Sequence, residues 1–263
     1  MTSSVCLITL TFFYATGQTM RVHAVHQLVE YRLNQATKPF SARGSKVERC
    51  PYCRIARTYC ICAHQPDPTV GFAILLLYSD NEVLKPSNTG RLIADVCSEA
   101  YAYQWSRTEP DTNMLSLLQN PSYQPILVFP ESYLFDSNTL VPDDKPTFIQ
   151  DKIPLFIFLD ASWREARRIY RKSEYLHHLP VISIQPEKIS EYVMRKSDQE
   201  QHLATCEVAA LVLQEFDMNE VSLKLQAWFE VFKESYMLSK TREKRDFSRP
   251  ILTQYLSDSK VEK

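Results

Sequence analysis

The chain has 263 residues, 44% of them hydrophobic, and 30 Lys and Arg against 31 Asp and Glu give a net charge of −1. Its 13 Phe, 14 Tyr and 3 Trp supply a sizeable core and exclude disorder of the whole chain, while a total of 4 Gly excludes collagen-like or Gly-rich architecture. No stretch reaches the roughly 18 apolar residues of a membrane span, and near-zero net charge makes any nucleic-acid surface a local patch.

Val5 to Ala15 is apolar like the middle of a signal peptide, but the first basic residue is Arg21, whereas an export signal opens on positive charge. Residues 1–19 are therefore read as a translation-start artefact or a loose extension, and the protein is expected in the cytoplasm. Val22, Val25, Leu28, Val29 and Leu33 recur at helical spacing and predict a short amphipathic helix. Residues 36–48, polar with Pro and Gly, read as a linker.

Cys50, Cys53, Cys60 and Cys62 form C-x2-C-x6-C-x-C. Four thiolates this close suit a tetrahedral metal, and four protein ligands leave no open position, so a structural zinc element is expected, which with the N-terminal helix and the linker makes up residues 20–68. Two disulfides, an iron–sulfur centre or plain buried thiols are the other readings; disulfides need an oxidising compartment. Cys6, Cys97 and Cys206 read as ordinary buried thiols.

Val70 to Tyr78 is a continuous apolar run, as in a strand buried on both faces. Arg91 to Tyr103 shows helical spacing at Leu92, Ile93, Val96 and Cys97. Further strands are expected at Ile126–Phe129, Leu155–Leu159 and Val181–Ile184, and helices at 163–172, 205–216 and 219–240. Strands alternating with helices predict an α/β fold with a mostly parallel sheet over residues 69–245, and 246–263 reads as a loose tail.

Three polar motifs sit where a strand ends or a helix begins, the place where open α/β sheets bind ligands. In the first, Ser87, Asn88, Thr89, Gly90 and Arg91 follow a stiffening proline; Asn88 or Thr89 can cap the next helix, and free amides there suit a carboxylate or phosphate. In the second, Asp160 stands directly after an apolar run, followed by Ser162 and Trp163 and then by Arg164, Arg167, Arg168, Arg171 and Lys172. Arg164, Arg168 and Arg171 share a helical face and form a stripe suited to RNA phosphates, or a solvated face paired with Glu165 and Glu174. In the third, Thr205 can cap a helix and Glu207 falls in its first turn. Each motif alone is compatible with a plain helix start.

The cysteine set with KPSNTGRLI (85–93), DASWREAR (160–167) and TCEVAALVL (205–213), in this order, resembles the DTW-domain family, with Ser162 where the family signature has threonine and the hydroxyl retained. The resemblance covers about residues 50–215. It implies a SPOUT-like fold with a C-terminal trefoil knot, S-adenosylmethionine as cofactor, tRNA as partner, and transfer of the aminocarboxypropyl group to N3 of a variable-loop uridine with release of methylthioadenosine. It carries Ser87, Asn88, Thr89, Gly90, Arg91, Thr205 and Glu207 as cofactor-binding residues, and Asp160, Ser162 and Trp163 as catalytic ones. Asp160 is the candidate base, Glu207 the second choice, and Trp163 a stacking surface for the uridine. A SPOUT-like RNA methyltransferase and a non-enzymatic zinc-containing RNA-binding module are the competing readings. Nothing in the sequence implies a membrane or an obligate protein partner.

Overall fold

The computed structural model describes residues 11–13, 19–36, 47–135, 149, 151–183, 204–240 and 246–261. Most of residues 1–19, the linker after residue 36, Ile184 and Leu203 lie outside the described residues, as does the chain between them.

Five strands form one parallel sheet: β3 (Thr69–Tyr78), β4 (Cys97–Gln104), β5 (Tyr123–Val128), β6 (Ile153–Asp160) and β7 (Val181–Ile182), in the order β4-β3-β6-β5-β7. A separate short pair, β1 (Thr11–Phe13) and β2 (Thr19–Arg21), is antiparallel, so part of the segment expected to be a loose extension is paired.

The central strands explain the continuous apolar runs. Phe72 to Tyr78 are all buried, and alternate residues serve two different cores. Phe72, Ile74, Leu76 and Tyr78 face α1 (Ala24–Gln35), α2 (Gly90–Val96), α5 (Thr205–Glu215), α6 (Asn219–Met237) and α7 (Pro250–Val261). Ala73, Leu75 and Leu77 face α3 (Thr112–Leu118) and α4 (Trp163–Arg171). Each large apolar side chain buried this way contributes about 1.5–3 kcal/mol, so a one-residue slip of β3 would exchange the two cores at once.

Two expectations are corrected. The helical spacing from Arg91 holds only to Val96; Cys97, read as part of that helix, opens the edge strand β4. The stretch 246–263, read as a loose tail, contains α7, whose Leu252 is buried and whose start is held by Glu234 accepting from the Ile251 and Leu252 amides at 2.9 and 3.0 Å.

The chain leaves β3 for β4 on one side and reaches β7 after β6 on the other. The carboxyl ends of β3 and β6 are neighbours in register, Tyr78 opposite Asp160, so the sheet changes direction there. A crevice forms at such a point because the flanking connections diverge.

Candidate active site and metal centre

Asp160 ends β6 and is 3% exposed. Its Oδ2 accepts from Asn88 Nδ2 at 3.0 Å and its Oδ1 from Thr205 Oγ1 at 3.0 Å. Burial pushes the Asp160 carboxyl up to about 6, against the opposing pull of the Asn88 and Thr205 hydrogen bonds. Gly90 closes over it: a Cβ there would overlap Oδ2 and stand 2.7 Å from the Tyr78 hydroxyl. Two buried polar atoms around this carboxylate, Tyr78 Oη and Asn88 Oδ1, have no hydrogen-bond partner among the described residues. Burial pushes the Tyr78 phenol well up, and the neighbouring Asp160 charge adds to that.

The three motifs thus converge, in part as expected. Asn88, Thr89 and Gly90 from the loop before α2, Asp160 from β6 and Thr205 from α5 meet at the ends of β3 and β6. The capping expectations change. Thr89 sits at the cap position of α2 with no capping bond of its own, and its Oγ1 instead accepts from the Cys206 amide at 3.4 Å. Thr205 is the first helical residue of α5, with Ala204 in the cap position. Ser162 is the true cap of α4: it forms a reciprocal box with Glu165, whose carboxylate accepts from the Ser162 hydroxyl at 2.7 Å. Threonine would cap in the same way.

The other motif residues have different contacts. Arg91 is 1% exposed and spends its guanidinium on three backbone carbonyls, donating to Asn88 at 3.1 Å, Lys85 at 2.8 Å and Tyr52 at 3.2 Å. It locks the loop to the cysteine element. Ser87 is exposed on that loop. Glu207 accepts from the Ala204 amide at 2.9 Å and secures the start of α5. Trp163 is 39% exposed and lines a cleft of about 610 Å³, open mouth included, with Val128, Phe129, Leu159, Ala161 and Thr205 among its neighbours.

Along α4 and at its end, Arg164, Arg167, Arg168, Arg171 and Lys172 are all exposed. Arg167 lies 5.0 Å over the Tyr133 ring and Arg168 5.6 Å over that of Trp105, so two of the cations rest on aromatic faces. Glu165 accepts from the Ser162 hydroxyl and also faces the Arg164 charge, which helps hold its carboxyl below the usual range.

The cysteine element is compact enough to hold a metal ion. The four sulfurs lie within 4.8 Å of one another, with Cys50 to Cys62 at 3.6 Å and Cys53 to Cys60 at 3.8 Å. A tetrahedron with arms of about 2.3 Å has edges of about 3.8 Å, whereas a disulfide needs about 2.0 Å. The four are free thiols, so the disulfide reading falls and the set fits one tetrahedral ion such as zinc. The knuckle closes through the Cys50 amide donating to Ile55 at 2.8 Å and the Arg54 amide to Cys50 at 3.1 Å, with Arg54 itself at φ 63.

A family model, that of the DTW domain, matches residues 47–237. The chain belongs to the DTW-domain family. The match runs from just before the cysteine knuckle to the end of α6 and takes in the cysteine cluster, the three motifs and the whole five-stranded sheet. DTW-domain membership is consistent with a tRNA-modifying function. No solved structure matches the chain. No helix among the described residues is long and apolar enough to cross a membrane.

Two features of this DTW domain escaped sequence reasoning. Tyr78 reads as the last residue of an apolar strand, and only its hydroxyl at a strand end signals a site. The second is a buried polar clamp. Asp95 accepts from His23 Nε2 at 3.0 Å, from Gln65 and from Trp228 Nε1 at 2.8 Å, tying α1, the cysteine element and α6 to α2. Burial would raise the Asp95 carboxyl, but these donors outweigh it and hold it at about 2. The i, i+3 pair His23 and His26 was the available signal.

Proposed function

We propose that this DTW-domain protein transfers the 3-amino-3-carboxypropyl group of S-adenosylmethionine to N3 of a uridine in the tRNA variable loop and releases methylthioadenosine, within a SPOUT-like fold that carries a C-terminal knot. The observation that carries the reading is the convergence of the three motifs on one buried carboxylate at the sheet's switch point, beside a cleft whose Trp163 opens a helix bearing five exposed cations. The residues present suit the cofactor: the unpartnered acceptor Asn88 Oδ1 suits an ammonium donor, and the buried Asp160 charge suits a nearby sulfonium.

When bound, S-adenosylmethionine supplies an electrophilic carbon activated by its sulfonium. Which of the three carbons reacts is a matter of alignment rather than new chemistry. Asn88 and Thr89, fixed by Asp160 and the Cys206 amide, form the rigid wall that sets this alignment. Arg91 keeps the Ser87 loop in place from beneath. Trp163 offers a half-exposed ring on which an unstacked uridine can rest. The α4 cations hold phosphates. Asp160 is the proton sink, and a single zinc ion in the cysteine set fixes the knuckle that Arg91 grips.

The test is nucleoside mass analysis of tRNA incubated with purified protein and S-adenosylmethionine. The expected product is aminocarboxypropyluridine. A methylated nucleoside, or bound but unmodified tRNA, overturns the proposal.

A further inference from the structure

We propose that Thr205 is the group that takes the proton from the nucleobase, handing its own hydroxyl proton to Asp160; the inference rests on the transfer reaction proposed above and assigns its proton path.

Leu159 and Ala161, the residues on either side of Asp160, line the cleft, whereas the Asp160 carboxyl is 3% exposed, lies against Gly90 and is not part of the lining. A base must come within hydrogen-bond reach of the proton it removes, and Asp160 has no open approach from the cleft. Glu207, the other acid of the motifs, is committed to the Ala204 amide. Among the described residues that line the cleft, the one side-chain oxygen is Thr205 Oγ1; the rest are aliphatic, aromatic or proline, with the Trp163 indole able only to donate. The Thr205 hydroxyl already donates to Asp160 Oδ1 at 3.0 Å, so its lone pairs are left to accept.

The balance is complete. The N3 proton moves to Thr205 Oγ1 as the hydroxyl proton moves to Asp160 Oδ1. The N3 electron pair forms the new bond to carbon, and the electrons of the broken C–S bond stay on sulfur in methylthioadenosine. Asp160 ends as a neutral acid and returns its proton to water through Thr205 once product leaves. Facing Asp160 are Tyr78 from β3, Glu82 from the following loop, Arg91 from α2 and Cys206 from α5. Burial pushes the Tyr78 phenol and the Cys206 thiol well up, so neither competes for the proton near neutrality.

The experiment compares Thr205→Ser and Thr205→Val with the parent protein in single-turnover transfer across pH, alongside tRNA affinity and a ¹³C-carboxyl titration of Asp160 in the unliganded chain. Thr205→Ser is expected to stay within about tenfold of the parent. Thr205→Val is expected to lose roughly 100- to 10,000-fold at unchanged tRNA affinity, with the residual rate climbing in the alkaline range where uridine itself ionises. Its Asp160 titration shifts upward, because the ionised form loses a donor. Full activity in Thr205→Val, a loss with the parent's pH profile, or an unmoved Asp160 titration overturns the relay. A parent protein that makes no product overturns the proposed reaction instead, and the Asp160 titration still reports whether the Thr205 bond exists.

Discussion

Gly90 and Asp160 meet with no room between them. The first residue of α2 presses its Cα against the carboxylate that ends β6, and a side chain of even one carbon would collide with Oδ2 and crowd the Tyr78 hydroxyl. Gly90→Ala is therefore predicted to displace either α2 or Asp160, at a cost of about 1–3 kcal/mol. Denaturant unfolding checks the cost. Transfer activity should fall further than the stability loss explains, because the displaced carboxylate releases Asn88 and Thr205 together.

Asp160 also makes stability depend on pH. Its folded pKa is raised to about 6 from an ordinary value of 3.8. In the window between those values the folded state holds the proton more tightly than the unfolded chain. The resulting stability is fully present below about pH 4 and is lost as pH rises to about 6, a fall on the order of 3 kcal/mol from this group alone. Asp160→Asn should lack that component and be as stable as the parent, or more so, at neutral pH. The unpartnered Asn88 Oδ1 can turn to accept from the new amide. The same substitution should abolish transfer. Unfolding curves from pH 4 to 8 decide the matter; identical pH dependence in both proteins would remove Asp160 as its source.

Much of this was legible in the sequence, for identifiable reasons. β3 and β6 are buried on both faces, so their apolar runs are unbroken and cannot be missed. β4 was hidden because it is an edge strand of mixed burial, and α2 runs into it at Cys97 with no glycine or proline between. α7 was hidden because its buried side is narrow; Pro250 at its first position was the available signal. Asp160, Asn88 and Thr205 could be picked out as polar residues at element ends, but not which way each points. Arginine suits an anion and a set of carbonyls equally well, so only the fold shows that Arg91 grips Lys85, Asn88 and Tyr52.

That grip makes the metal centre matter to the cleft. Removing the metal, or replacing Cys62 with serine, should loosen the knuckle that carries Tyr52 and so free one arm of Arg91. The expected result is about one equivalent of zinc in the parent protein, its loss in the Cys62→Ser variant, and a lower unfolding midpoint for both the variant and the chelated parent. Proteolysis should then cut first within residues 47–62 or 85–89. An unchanged midpoint after complete metal removal would separate the cysteine element from the stability of the fold.

The α4 cations make the last prediction quantitative. Arg167 and Arg171 are exposed, and Arg167 rests on the Tyr133 ring. If each contacts one tRNA phosphate, each releases about one counterion on binding. The double variant Arg167→Ala with Arg171→Ala should then bind tRNA more weakly and reduce the slope of log affinity against log salt by roughly 1.5. Lys224→Gln serves as the control, because Lys224 lies on α6 and donates to Thr69 at the far end of β3. It should leave the slope unchanged. Equal slopes for the parent and the double variant would make α4 a solvated face and place the tRNA elsewhere on the protein.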